Sequence, residues 1–173
     1  MQTTIKGQFT TLQLTHPCTA MHNLKLIPID IDETKNVKFQ DNPECLPILA
    51  VYPAFYKKIG YTKPWIGYFF SNENNEIVGM GGYKGKPKNG SIEIAYGTFT
   101  EFEGKGIGTE ICRLLVLLSK QTDSTLQITA RTFIKDNSSA RILTKNGFVS
   151  IGTVYDEEDG DVWEWEFKGP HAK

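Results

Sequence analysis

The seven residues Glu103-Gly104-Lys105-Gly106-Ile107-Gly108-Thr109 constrain this chain more than any other stretch. They follow a run from Ser91 to Phe99 that reads as a strand, and they precede an amphipathic run, Thr109 to Lys120, that reads as a helix. Glycines at alternate positions let the backbone turn tightly and leave its N–H groups bare, and the helix behind them adds the positive end of its dipole. The natural guest of such a loop is an anion, a phosphate first of all. A Walker A loop needs Lys-Ser or Lys-Thr after its last glycine, whereas Lys105 lies inside the loop. A dinucleotide fingerprint begun at Gly104 and Gly106 needs a third glycine where Thr109 stands, and no parallel βαβ repeat surrounds it.

The remaining match is the pattern Q/R-x-x-G-x-G/A, which Glu103 to Gly108 follows in all but its first residue. Downstream, the stretch from Asp136 to Phe148 follows N-x-x-S/A-x-x-x-hydrophobic-x-K-x-G-F, and upstream Glu93-Ile94-Ala95-Tyr96 is close to E-I-G-Y. With these three motifs in this order, the chain resembles the GNAT family of acetyl-CoA-dependent N-acyltransferases. The likeness is to the branch that acetylates ribosomal-protein N-termini, polyamines and some antibiotics. It implies an α+β fold whose mixed, mostly antiparallel central sheet splays at the CoA site, with helices on both faces. The domain so implied covers residues 21–168, after a variable N-terminal extension (1–20) and before a short tail (169–173).

The resemblance also implies roles. Tyr96, Gly97 and Thr98 meet pantetheine at a bulge, which a glycine at position 97 suits. Gly104, Lys105, Gly106, Ile107, Gly108 and Thr109 hold the pyrophosphate; Lys105 is either a charge on the ligand or a solvated loop lysine, and Glu103 sets a negative charge where the family has Gln or Arg. Asn137 is offset by one from the family's CoA-contacting asparagine, putting Asp136 in register, and either contacts cofactor or caps the helix. Glu93 is the candidate base for a protonated amine, the alternative being that it only orders neighbouring groups. Ser139 either supports the leaving sulfur or caps the helix. Leu143 stands where the family has an acid/base tyrosine, so no general acid carries over. Acetyl-CoA is the co-substrate, and the chemistry needs no metal.

The 173 residues, 39% of them hydrophobic, suit one domain with a sizeable core, and a formal net charge of −1 argues against nucleic acid or an anionic membrane as partner. No apolar run approaches the ~20 residues of a membrane span, and a cytoplasmic home is the default expectation. Cys18, Cys45 and Cys112 lack metal-ligand spacing and serve packing. Strands are expected at 24–29, 65–70, 76–83, 91–99 and 125–133, with a closing pair around Asp156 to Asp161. Pro47 and Pro53 should break the helical stretch 42–58 into short pieces. Gly147 suits the left-handed position after a helix at 138–146. The acidic run Asp156 to Asp161, with Glu164 and Glu166, signals either a cationic acceptor (polyamine, aminoglycoside or basic peptide N-terminus) or a turn kept soluble by charge. Trp163 and Trp165 share a strand face and belong to the core or to a homodimer contact. A non-catalytic acyl-CoA sensor and an interaction domain without cofactor are the rival classes.

Overall fold

Tight turns and two helical crossovers dictate the architecture. A computed structural model describes residues 22–135 and 137–169. Its strands are β1 (Lys25–Pro28), β2 (Gly67–Ser71), β3 (Ile77–Tyr83), β4 (Ser91–Thr98), β5 (Gln127–Phe133), β6 (Phe148–Asp156) and β7 (Gly160–Phe167). They form one sheet in the order β1-β2-β3-β4-β5-β7-β6. Its helices are α1 (Cys45–Ile59), α2 (Ile107–Thr122) and α3 (Ser138–Lys145), with 3₁₀ segments at Glu33–Phe39 and Thr100–Phe102. Short turns make β2, β3 and β4 an antiparallel meander. In the first turn the Asn72 side chain accepts from the N–H groups of Asn74 and Glu76, both at 3.0 Å. Among the described residues β4 and β5 are the one neighbouring pair that runs parallel, because α2 carries the chain over between them. The result is the mostly antiparallel α+β sheet that the motifs implied. The segments 1–21 and 170–173, with Cys18, lie outside the described residues.

Glycines decide which helix takes which face. A Cβ on Gly81 would lie 3.0 Å from Leu115 and 3.1 Å from Ile111, so β3 meets α2 there without side chains. Gly82, the next residue, faces the other way by strand alternation. Its cross-strand partner Gly67 abuts Tyr52 of α1. Helix α1 therefore covers one face and α2 the opposite one. Ile107, Ile111, Cys112 and Leu115 of α2 enter the core, while Leu114 and Leu118 pack against its margin.

Helix α1 corrects the expectation of broken pieces: it is continuous through both prolines. Pro47 is its third residue, where an N–H has no intrahelical partner in any case. Pro53 forfeits one interior bond, and tertiary anchoring offsets that loss. The Tyr56 hydroxyl donates to the Ile29 carbonyl (2.7 Å) and accepts from the Gly67 N–H (3.1 Å), tying the helix to β2 and to the chain leaving β1. Gly147 holds the left-handed conformation expected of it, with φ +82°. Cys45 and Cys112 are buried and unpaired. Burial pushes the Cys45 thiol up to about 11 and Cys112 higher still, as packing residues rather than nucleophiles.

Gly82→Ala should be the more instructive glycine substitution on the α1 face. The added methyl meets the Ile66 carbonyl and approaches Gly67 Cα to 2.7 Å, and backbone cannot swing aside as a side chain can. The expected loss is about 1–3 kcal/mol, read as a lower urea midpoint at unchanged slope.

Candidate active site

Strands β4 and β5 pair from Ser91–Gln127 to Ile94–Ala130 and then part. Beyond Ile94, Ala95 to Thr98 keep their β3 partners in unbroken register. This corrects the expected bulge at Gly97. The sheet's two irregularities lie elsewhere, at Phe70/Ser71 and Ser150/Gly152, and the opening arises because β5 diverges rather than because β4 kinks. The β5-facing backbone groups of Ala95 to Thr98 are left without a strand. A cleft of about 460 Å³ opens beside them, lined by Tyr96, Gly97 and Thr98, by the glycine loop and by α3.

The loop is shaped by two left-handed residues, Gly104 (φ +70°) and Gly106 (φ +83°). Gly106 is the N-cap of α2 and offers no side-chain acceptor, so the first-turn N–H groups at Ile107, Gly108 and Thr109 meet the cleft uncapped. Gly108 makes the close fit that holds α2 to its neighbours: a Cβ there would lie 2.7 Å from Ile142 and 2.9 Å from the Thr98 hydroxyl. Helix α3 brings Arg141 and Lys145, one turn apart, to the same cleft, while the loop brings Glu103. The motifs imply no role for these two cations; their i, i+4 spacing within the second motif is the signal for one.

Of the residues singled out in the sequence, Tyr96, Gly97, Thr98, Gly104, Gly106, Ile107, Gly108, Thr109 and Ser139 meet in this cleft. Lys105 turns its side chain away: its ammonium donates to the Glu101 carbonyl (2.8 Å) and lies 5.4 Å from the Phe102 ring centre. Its own carbonyl accepts from the His22 ring at 2.6 Å. Asn137 caps α3, its side-chain oxygen accepting from the Ala140 N–H at 2.9 Å, and it does not line the cleft. Asp136 lies outside the described residues. Ser139 is thereby released from capping, and its hydroxyl makes no hydrogen bond among the described residues. Its carbonyl instead accepts from the Tyr96 hydroxyl (3.2 Å), whose proton burial holds far above the ordinary phenol range. Leu143 is fully buried.

Glu93 lies on the other face. Ile92 and Ile94 point to the α2 side, so Glu93 points to the α1 side, one residue before the last paired position of β4. Arg131 stands 3.7 Å from it and also holds Asp156 (2.7 Å) and Glu164 (3.7 Å). Burial raises the proton affinity of Glu93, and Arg131 and Lys84 oppose that rise without cancelling it. Asp156 is held down to about 2, chiefly by the Glu158 N–H, then by Arg131 and the Asp159 N–H. Glu158 pairs with Lys58 and Glu166 with Lys168. Much of the acidic run is thus partnered. Trp165 is in the core, its ring N–H donating to the Thr132 hydroxyl at 2.9 Å.

Residues 37–149 match the profile of the acetyltransferase (GNAT) domain. The chain belongs to that family. It is accordingly an acyltransferase, of a family that uses acetyl-CoA. Among solved structures, this acetyltransferase is similar to a chimera of the spermidine N-acetyltransferase SpeG from Vibrio cholerae with hSSAT. The two are 15% identical, with 83% of this chain and 94% of that one covered and a TM-score of 0.61. It is similarly close to the ribosomal L7/L12 α-N-protein acetyltransferase RimL in complex with coenzyme A, at 16% identity, with 85% and 94% covered and a TM-score of 0.61. At such identities the likeness is one of fold. No curated protein matches the chain. Among the described residues no helix is long and apolar enough to cross a membrane.

Two substitutions test the supports of the site. Asn137→Ala removes the α3 cap and should cost about 1 kcal/mol of stability in chemical denaturation. Because the Asp156 carboxyl is lowered in the fold, its stabilisation is present above the ordinary value of 3.8 and is lost as pH falls towards about 2. Acid unfolding of Asp156→Asn should lack that component, and its β6–β7 turn should respond less to pH between those values than that of the native protein.

Proposed function

We propose that this acetyltransferase transfers the acetyl group of acetyl-CoA to a primary amine by direct attack in a ternary complex, across the gap between β4 and β5. One observation carries the reading: an uncapped helix N-terminus behind left-handed glycines and an unpaired strand edge meet in a single cleft. The first supplies donors to a pyrophosphate, and the second supplies strand-like partners to the amides of pantetheine. Arg141 and Lys145 supply the countercharge that Lys105, turned away, does not bring with its side chain. Acetyl-CoA supplies the acyl carbon, to which the amine nitrogen bonds as the carbon–sulfur bond breaks, the sulfur leaving with the proton that the nitrogen sheds.

The chain's own groups prepare that exchange. An amine arrives as an ammonium and must lose a proton before it can attack. Glu93, at the closed end of the gap and on the face away from the loop, takes that proton through water. Its raised proton affinity suits the task better than an ordinary surface carboxylate would. The Ser139 hydroxyl, without a hydrogen-bond partner among the described residues, supports the leaving sulfur. Backbone N–H groups on the free edge of β4 polarise the acyl carbonyl, an oxyanion-type role.

Calorimetric titration with acetyl-CoA should give micromolar binding, about −8 kcal/mol. Gly106→Trp should abolish it while thermal unfolding remains cooperative; retained binding in that variant would remove the ligand from this loop. Glu93→Gln should lower kcat on the order of 10²-fold or more. In the native enzyme kcat/KM should fall as pH drops through the raised Glu93 value, and the variant should lose that acid limb. A variant with the native acid limb would assign the base elsewhere.

A further inference from the structure

On the α1 face, two adjoining depressions flank Glu93 and Arg131. One, of about 530 Å³, reaches towards α1 and the β6–β7 turn; the other, of about 320 Å³, reaches towards the β3–β4 turn. The charges around them are sorted by wall. Asp156, Glu157 and Glu158 come from the β6–β7 turn, whereas Lys84, Lys86 and Lys88 come from the β3–β4 turn. The two walls differ in how far their charges are already answered. Asp156 and Glu164 share Arg131 with Glu93 and Glu158 pairs with Lys58, while Glu157 makes no salt bridge among the described residues. The three lysines are exposed, and none makes a salt bridge among the described residues, although Lys84 is near enough to act on Glu93.

That asymmetry selects among amines. The two walls balance by count, Lys58, Lys84, Lys86, Lys88 and Arg131 against Glu93, Asp156, Glu157, Glu158 and Glu164, so a polycation gains no net attraction there and is opposed along the lysine wall. An amine carrying its own anion meets complementary charge at both ends. We propose that the acceptor is a primary amine bearing a carboxylate or phosphate, with Lys84 and Lys88 holding the anion while the amine faces Glu93. Phe55 and Ile59 of α1 and Tyr155 of β6 supply an apolar flank for the part of the acceptor between its charges. The proposal rests on the acetyl-transfer reading above and narrows it from primary amines at large to anion-bearing ones.

The test is thiol release from acetyl-CoA by the full chain, with acetyl-CoA affinity measured calorimetrically in parallel. The panel comprises an amino acid, glucosamine 6-phosphate, a peptide with an acidic second residue, spermidine and an aminoglycoside. The first three separate a carboxylate on a small molecule, a phosphate and a carboxylate on a peptide. Expected is a higher kcat/KM for at least one anionic amine than for either polycation. The double variant Lys84→Glu, Lys88→Glu should raise KM for that amine on the order of tenfold or more. It should lower KM for spermidine and leave acetyl-CoA affinity unchanged, while Lys84→Arg with Lys88→Arg retains the native KM. Preference for spermidine or the aminoglycoside, or a KM indifferent to charge reversal in a variant that melts like the native protein, overturns the proposal and leaves acetyl transfer standing. Acetyl-CoA binding without release to any amine, or no binding at all, overturns both.

Discussion

A backbone edge without a partner is what the rest of this structure is arranged around. Strand β4 pairs with β3 from Ile94 to Thr98 but with β5 only from Ser91 to Ile94. Unpaired N–H and C=O groups are costly unless water or a ligand meets them. Here they stand beside a helix N-terminus that also lacks a cap. Two unsatisfied sets of donors converge on one cleft, and an extended ligand with amides at one end and phosphates at the other would satisfy both.

The sheet then separates the glycine-loop cleft from the Glu93 well. Glycines at 79 and 81 let α2 lie close on one face, placing the loop there, while Gly67 and Gly82 let α1 and its tyrosines settle on the other. The gap between β4 and β5 is the passage from one side to the other. Glu93 stands at its closed end, on the face opposite the loop.

Local chemistry was legible in the sequence, and pairing across the fold was not. Gly104, Gly106 and Gly147 occupy the left-handed conformations that their positions required, and the polar stretch 71–75 turns as its asparagines suggested. The proline rule failed at α1, where the Tyr56 hydroxyl bridges Ile29 and Gly67 from 27 and 11 residues away. Glycine at 97 was read as a bulge, yet its register with β3 is regular; the divergence belongs to β5, whose path depends on β7. The acidic run read as one field because its partners, Arg131 and Lys58, lie 25 and 100 residues away. Lys105 looked like a ligand charge from its position, but a side chain four carbons long could equally reach back to Glu101, as it does.

Arg131 has a further consequence through its three carboxylates. A lone ion pair at Glu93 would have to be broken for an ammonium to approach, stranding a guanidinium in a partly closed well. Here the guanidinium already lies within reach of Asp156 and Glu164 on two other strands. In the proposed reaction an entering ammonium therefore exchanges one cation for another at Glu93 while the displaced cation stays neutralised. The well carries its own spare counter-ions, and an exchange of cations there is a rearrangement of charge pairs rather than a separation of charge.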